Sequence, residues 1–409
     1  MNAVILCGGK GKRLPFADGS LPKPIVDLCG LPCLERQVLA LRAEGITHFI
    51  FLAGYKHDAI RAYFGDGSKW GVRIDYVIES TPRGTAGSLF DLKTEDDFLF
   101  LNGDLVFSFE LQPMLAFHRQ KGALVTCFSH KSTHPQDSTL TVCDKTGKIL
   151  HFIRRGEENP DECILANAGI YVISPKLLDL FSFSGAADFD RDVLRPLSGK
   201  GIYAYVSSEY VKDIGTPERL ADAERDVRFG RPDMLRFSQK KKAIFLDRDG
   251  TINVHDGYIT EPSRLKLIDG VAEALRIFHA RGYLCIIVTN QPSVARGEAT
   301  AEQIEQINRH LEFLLAKHGA YVDAVYYCPH HPDKGFAGER SELKVDCDCR
   351  KPKPGMVLRA AREHNIDLTR SYLAGDSEAD ILCAENAGAT PVRITGEYRL
   401  IDFARESFS

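Results

Sequence analysis

The sequence begins an architecture twice. An apolar run that reads as a strand buried on both faces opens the chain and breaks into a glycine-rich turn, "NAVILCGGKGKR"; a second such run, "KKKAIFLDRDGTIN", begins at Lys240 and breaks into an acidic turn. Strands buried on both faces are what a parallel sheet covered by helices requires, so each restart predicts an α/β domain of its own. The 409-residue length leaves room for two or three domains. The expected division is a first domain over 1–230, a linker over 231–241 and a second domain over 242–409. Around that junction "RFGRPDMLRFSQKKK" carries glycine, proline and a basic cluster without a period, and reads as a solvated connector.

The remaining apolar runs support the same picture. "HFIFLAG", "IDYVIES", "DFLFLNGD", "ALVTCFSH", "AGIYVIS" and "IYAYVSS" read as strands in the first section, several separated by amphipathic pieces of helix length such as "LERQVLALRAEG". "AIFLD", "YLCIIVTN", "DAVYYC" and "SYLAGD" repeat the logic in the second. The predicted fold class is α/β, with two doubly wound, Rossmann-like domains, the first sheet mixed but mostly parallel. A hydrophobic content of 44% and a formal charge of -4 are ordinary for a globular protein and speak against a general nucleic-acid binder. No apolar run reaches the ~18 to 20 residues needed to span a bilayer, and the N-terminus lacks signal-peptide order. The expectation is a cytoplasmic protein with small-molecule partners, neither nucleic acid nor membrane, and with room for a homo-oligomer. Of eleven cysteines, Cys7, Cys29, Cys33, Cys127, Cys143, Cys163 and Cys285 are dispersed without framework spacing and read as reduced, buried thiols.

In the first domain "LCGGKGKRL", Leu6 to Leu14, follows its strand directly, beyond the carboxyl end where such sheets bind ligands. Glycines there let backbone N–H groups approach phosphate oxygens, and Lys12 and Arg13 add charge. Further on, "LPKPIVDLCGLP" sets Lys23 between two prolines that restrict its backbone. "ESTPRGTAGSL", "LNGDLVF", "ANAGIYVIS" and "VKDIGTPERL" follow in order. Together these segments resemble the sugar-1-phosphate nucleotidylyltransferases over residues 1–225. The resemblance implies attack of a sugar 1-phosphate oxygen on the α-phosphorus of a nucleoside triphosphate, with pyrophosphate leaving. It places Leu6, Gly8, Gly9 and Gly11 in the triphosphate turn, Arg13 on the leaving pyrophosphate, Lys23 on the α-phosphate or sugar phosphate, and Gly84 and Thr85 near base and ribose. Asn167 and Gly169 line the sugar site, and Asp104 and Asp213 hold Mg²⁺, a cation that prefers hard oxygen ligands. Two departures stand out: Lys12 replaces the usual Thr or Ser before the arginine, and "HFIRRGEENPDE" stands where the family has a Glu-Lys pair, leaving Arg154, Arg155 or Glu157 to substitute.

In the second domain "AIFLDRDGTIN" puts two carboxylates two residues apart at a strand end, where the period of two turns Asp247 and Asp249 toward one region and Gly250 lets the chain bend away. This D-x-D-G-T resembles the haloacid dehalogenase superfamily. The resemblance implies that Asp247 attacks phosphorus and Asp249 handles the proton, a division of labour that one carboxylate could not perform alone. It also implies that Thr289, Asn290 and Gln291 meet the phosphate, that Lys351 neutralises charge, and that Asp376 completes a Mg²⁺ site with Asp247 and Asp249, supported by Asp380. Cys328-x-His330 and Cys347-x-Cys349, sixteen residues apart, supply four ligands, enough to close a tetrahedral zinc site, with His331 as a competing ligand. A closed site reads as structural, a clamp whose fixed end delivers Arg350 and Lys351 to the phosphate.

"TNQPSVARG", "CPHHP" and "CDCRKPKPGM" resemble the D,D-heptose 1,7-bisphosphate phosphatases over residues 241–395, and histidinol phosphatases share much of that set. The resemblance puts His255, Asp256, Gly257, Tyr258, Arg296 and Arg350 at the substrate. Ser377 stands where the heptose enzymes commonly carry lysine, and "QPSVARG" where they read "QSGIARG". The fusion then implies consecutive steps: loss of a 7-phosphate from a heptose 1,7-bisphosphate, then GMP transfer from GTP to the heptose 1-phosphate. Other readings are a different base and sugar paired with a histidinol-phosphate-type phosphatase, a first domain that only senses nucleotide sugars, and an inert scaffold, which would have no need of Asp104, Asp213, Asp247 and Asp249.

Overall fold

A computed structural model describes residues 1–9 and 22–408. The chain divides into two compact units, one of Met1–His130, Ser138–Glu158 and Leu165–Arg236, the other of Lys131–Asp137, Asn159–Ile164 and Phe237–Ser409. The stretch 231–241 carries a short helix, Arg231–Met234, and a buried Leu235. The predicted residues Gly11 and Arg13, with Lys12, lie outside the described residues.

The first unit is built on a nine-stranded sheet. Its opening strand, Ala3–Leu6, runs parallel to His48–Ala53 on one side and to Phe98–Asn102 on the other. Side chains alternate between two cores: Ala3, Ile5, Phe49, Phe51, Leu99 and Leu101 enter one, and Val4, Leu52, Phe98 and Phe100 the other. This period of two, apolar on both faces, is the signature of a sheet covered on both sides. The chain first extends the sheet through His48–Ala53 and Arg73–Ile78, then returns to the far side of Ala3–Leu6 as Phe98–Asn102. The crevice beyond the ends of Ala3–Leu6 and Phe98–Asn102 is therefore the topological switch point, where open α/β sheets bind their ligands. Leu165–Ile173 pairs antiparallel with Phe98–Asn102, which makes the sheet mixed on that side.

The second unit carries a five-stranded, fully parallel sheet in the order Ala324–Cys328, Tyr283–Asn290, Lys242–Leu246, Tyr372–Gly375, Thr390–Arg393. Its switch point falls between Lys242–Leu246 and Tyr372–Gly375. Tyr283–Asn290 is buried along all but its last residue, as an interior parallel strand must be. Some elements had no sequence expectation. Thr390–Arg393 contains Pro391, which the sheet tolerates because the strand lies at its edge. The antiparallel pair Leu105–Ser108 and Tyr210–Asp213 is too short to announce itself by period. Among the described residues no helix is long and apolar enough to cross a membrane.

Candidate active sites

In the second unit the strand Lys242–Leu246 ends one residue before Asp247, and the chain folds at once into a tight turn: Ile252 N and Asn253 N donate to Arg248 O at 2.9 and 3.1 Å, and Gly250 N donates to Asn253 O at 2.8 Å. Gly250 has φ +86, and a Cβ on it would lie 2.0 Å from Asp376 Oδ2, so only glycine lets the two strand ends approach this closely. Lys351 Nζ donates to Asp247 Oδ1 at 2.7 Å and to Asp380 Oδ1 at 2.5 Å. Carboxylate oxygens of Asp247, Asp376 and Asp380 all lie within 4.8 Å of one another. Burial pushes the Asp247 carboxyl up while Lys351 pulls it back, and the Lys351 ammonium is held up by both carboxylates against its own desolvation. Asp376 is also raised, by burial and then by Asp380. Three crowded carboxylates facing one lysine are a donor set that suits a divalent cation with hard oxygen preferences.

The Asp249 carboxylate is held by partners that strand period does not supply. The strand has already ended, so the turn sets its direction. Arg248 Nη2 donates to its Oδ2 at 2.9 Å and Nε to its Oδ1 at 3.2 Å, Asn253 Nδ2 donates to Oδ1 at 2.9 Å, and Gln291 Nε2 to Oδ2 at 2.8 Å. Burial alone would raise this carboxyl; the Arg248 charge and these bonds outweigh it and hold it low. Gln291 Nε2 also donates to Thr289 Oγ1 at 3.0 Å, tying the predicted phosphate-binding threonine to Asp249. The Asn290 amide clasps the backbone of Lys351 instead of pointing away: Nδ2 donates to Lys351 O at 3.1 Å and Lys351 N donates to Oδ1 at 3.0 Å. Ser377 caps the helix Glu378–Ala387 and donates to Asp380 Oδ2 at 2.5 Å.

Cys328, His330, Cys347 and Cys349 converge. Cys349 Sγ lies 3.2 Å from both Cys328 Sγ and Cys347 Sγ and 3.3 Å from His330 Nδ1, with Cys328 and Cys347 sulfurs 3.5 Å apart. Zinc–sulfur bonds of ~2.3 Å in a tetrahedron separate ligand atoms by roughly 3.8 Å, so a small contraction of that geometry is what the cluster shows. His330 is in the group; His331 instead accepts from Asp333 N at 3.2 Å. Arg350 Nη1, next along, donates to His330 O at 3.2 Å. Arg296 lies over the rings of Tyr258 and Phe336, at 4.9 and 4.2 Å, and donates to Tyr258 Oη at 3.2 Å. His255, Asp256 and Gly257 form an exposed loop before Tyr258, with Asp256 taking Arg264 at 3.2 Å.

In the first unit the ladder Leu105–Ser108 with Tyr210–Asp213 sets Asp213 opposite Leu105, and Ile214 N donates to Asp104 O at 3.0 Å, so the two predicted metal ligands stand next to each other. Lys23 Nζ donates to Asp104 Oδ2, and Arg219 Nη1 reaches both oxygens of Asp213 at 2.9 Å each. Two carboxylates on neighbouring stretches of backbone, each already paired with a cation, fit magnesium's preference for hard oxygen donors. Leu6 pairs with Asn102 across the switch point, Gly8 O accepts from Tyr55 N at 3.3 Å, and Gly9 is exposed. Gly84, at φ +76, would put a Cβ 2.2 Å from Ala187 O. Thr85 is committed to that junction, accepting from Phe189 N at 2.7 Å. Asn167 Nδ2 donates to Tyr171 Oη at 2.9 Å, and Gly169 N donates to Asn167 Oδ1 at 3.3 Å. Of the candidates for the missing Glu-Lys pair, Arg154 is paired with Asp190 at 3.1 Å and Glu157 with Arg195 at 3.0 Å.

Residues 2–229 match the nucleotidyl transferase family, and residues 137–388 match the haloacid dehalogenase-like hydrolase family. The chain belongs to both families. It is accordingly an enzyme with a nucleotidyltransferase portion and a phosphatase-type hydrolase portion. The hydrolase portion is similar to D-glycero-beta-D-manno-heptose-1,7-bisphosphate 7-phosphatase of Pasteurella multocida, 46% identical over 36% of this chain and 77% of that protein, and to the protein of that name from Escherichia coli, 43% identical over 38% and 80%. The nucleotidyltransferase portion shares its fold with a putative glucose-1-phosphate thymidylyltransferase from Bacillus anthracis, at TM-score 0.51 and 21% identity over 56% of this chain and 95% of that one. Within the hydrolase family site, sequence reading passed over Arg248 and Asn308, and in the nucleotidyltransferase site Arg219. Arg219 lay in a quoted motif and could have been found as the cation six residues after its aspartate, in the first turn of the helix Pro217–Arg228; Asn308 sits in an amphipathic helix with no local signal.

Proposed function

We propose that the chain catalyses two consecutive steps of nucleotide-activated heptose synthesis. The observation that carries the reading is the buried Asp247–Lys351–Asp380 group set beside a closed four-ligand loop, in a stretch whose relatives are named as heptose bisphosphate 7-phosphatases. In the first step Asp247 Oδ attacks the 7-phosphorus, the bond to the sugar oxygen breaks, and Asp249, which must first take up a proton from solvent because its surroundings favour the carboxylate, gives that proton to the oxygen. Water then attacks the aspartyl phosphate while Asp249 takes a proton back, releasing phosphate. Lys351 balances charge on the nucleophile and the transferring group. Mg²⁺ held by Asp247 and Asp376, with Asp380 in the same group, would supply charge neutralisation there, and Zn²⁺ held by Cys328, His330, Cys347 and Cys349 would fix the loop.

In the second step the heptose 1-phosphate oxygen attacks the α-phosphorus of GTP and pyrophosphate leaves, giving GDP-heptose. Lys23 and the turn around Gly8 and Gly9 position phosphates, Asp104 and Asp213 would hold Mg²⁺, and Asn167 and Gly169 border the sugar. GTP follows from the logic of the paired steps, since a heptose 1-phosphate released by the first reaction is what a sugar nucleotidylyltransferase consumes. A reducing, cytoplasmic setting suits eleven free cysteines. The test is a coupled assay: with heptose 1,7-bisphosphate, GTP and Mg²⁺ the protein releases one phosphate and one pyrophosphate per GDP-heptose. Intact bisphosphate alongside cleaved histidinol phosphate overturns the sugar assignment, and phosphate without pyrophosphate overturns the transferase.

A further inference from the structure

Among the described residues Arg248 is the largest fully buried side chain, with no exposed surface, and in sequence it lies between the two aspartates of the D-x-D motif. A guanidinium without water must place its fork of N–H donors on protein acceptors, and each donor left unpaired carries its full desolvation penalty. Nε and Nη2 go to Asp249 (3.2 and 2.9 Å) and Nη1 goes to Asn308 Oδ1 at 3.0 Å. Asn308 is itself buried, on the helix Ala301–Lys317, which starts from a capping box at Thr300 and Gln303 and packs its Ile304, Ile307 and Leu311 into the core. The fork is thus pinned at both ends: by a carboxylate in its own turn, and by an amide from a rigid element sixty residues away in sequence. With Asp249 alone, Arg248 and its neighbour could swing together as the turn moves. The amide fixes the plane of the guanidinium against the core, and through it the plane of the carboxylate.

We propose that Asn308 is a positioning residue for phosphoryl transfer: it locks Arg248, and Arg248 holds the Asp249 carboxylate at the angle from which it passes a proton to the leaving sugar oxygen and takes one from water. The inference rests on the reading of Asp249 as the proton-transfer group. In the step concerned the phosphorus–oxygen bond of the sugar breaks as Asp247 bonds to phosphorus, and the proton of Asp249 goes to the departing oxygen. An alkoxide leaving group needs that proton; a nitrophenolate does not. Orientation of a proton donor therefore matters for one substrate class and hardly for the other.

The full-length protein with Mg²⁺ is assayed on heptose 1,7-bisphosphate and on 4-nitrophenyl phosphate, as parent, Asn308→Leu, Asn308→Asp and Asp249→Asn. Asn308→Leu is expected to lower kcat on the sugar phosphate at least about tenfold, part of the ~10²- to 10⁴-fold that positioned proton transfer supplies, with KM little changed and nitrophenyl phosphate hydrolysis within about threefold. Asn308→Asp, which keeps a polar partner but draws the guanidinium off Asp249, gives the same selective loss and decides the matter if the leucine variant does not fold. Equal losses on both substrates, or none on either, overturn the proposal. If Asp249→Asn also fails to discriminate between the substrates, the proton-transfer reading of Asp249 falls; if it discriminates and the Asn308 variants do not, only the positioning role falls.

Discussion

Removing zinc from the Cys328–Cys349 loop is predicted to separate two cations that the sequence places side by side. Arg350 takes its position from the loop, through its bond to His330 O at 3.2 Å, one of the four clustered residues. Lys351 has anchors that do not pass through the metal: two hydrogen bonds between its backbone and the Asn290 amide at 3.0 and 3.1 Å, and its ammonium on Asp247 and Asp380. Loss of the clamp returns chain entropy to the loop, on the order of 3 kcal/mol for a closure of this length, and frees Arg350 while Lys351 stays. One charge-assisted contact is worth about 1.5–3 kcal/mol, which is roughly a 10- to 150-fold rise in KM for the sugar phosphate. Turnover, which depends on Lys351 beside Asp247, changes by less than about threefold. The assay uses a zinc-selective chelator with Mg²⁺ in excess, steady-state phosphate release, and metal analysis of the same sample. Asn290→Ala is the mirror perturbation, lowering kcat more than it raises KM. A zinc-free protein whose kcat collapses at unchanged KM, or whose kinetics do not move at all, would falsify the division of labour.

Asp247→Asn is expected to reduce phosphate release by more than ~10³-fold while pyrophosphate formation from supplied heptose 1-phosphate stays within about twofold, measured in one preparation. Gly84→Ala places a Cβ 2.2 Å from Ala187 O at φ +76 and should cost about 3 kcal/mol, read by calorimetry as a fall of roughly 6–12 °C in the melting temperature of the nucleotidyltransferase unit. Asp323 is buried, but His279 at 2.9 Å and the Cys285 N–H at 2.7 Å outweigh burial and hold its carboxyl below the ordinary range. A folded value below the unfolded one gives stability that is fully present above pH ~4 and lost as pH falls through the folded value. Asp323→Asn should therefore lower stability by about 3 kcal/mol at pH 7, with the gap to the parent closing in acid; a gap independent of pH would assign the loss to packing.

Both sheets were legible because their interior strands are continuous apolar runs, a pattern with few other solutions, and each site motif sits at the carboxyl end of such a run. The Cys/His cluster was legible because soft donors in close pairs are rare by chance, and the group that converges is Cys328, His330, Cys347 and Cys349, without His331. What failed to show was whatever depends on contacts distant in sequence. The partners that hold Asp249 had no sequence signal: the strand stops at Leu246, and Arg248, Asn253 and Gln291 bind the carboxylate. The contact of the Asn290 amide with the backbone of Lys351, sixty-one residues away, had no sequence signal either. The short ladder that brings Asp104 and Asp213 together has too few residues for any period, so adjacency there could be inferred only from the resemblance.

The described residues of each site also come from a single unit. Asp247, Asp249, Asn290, Lys351, Asp376 and Asp380 all fall within Phe237–Ser409, and Gly8, Lys23, Asp104, Asn167, Asp213 and Arg219 within the segments of the first unit. Among the described residues Asp247 and Asp380 are met by Lys351, Asp104 by Lys23 and Asp213 by Arg219, each pairing within one unit. A substitution at Asp247 removes a carboxylate that belongs to the second unit alone. For that reason the Asp247→Asn experiment is a test of architecture as well as of chemistry: loss of both activities would mean that the sites share something other than charge.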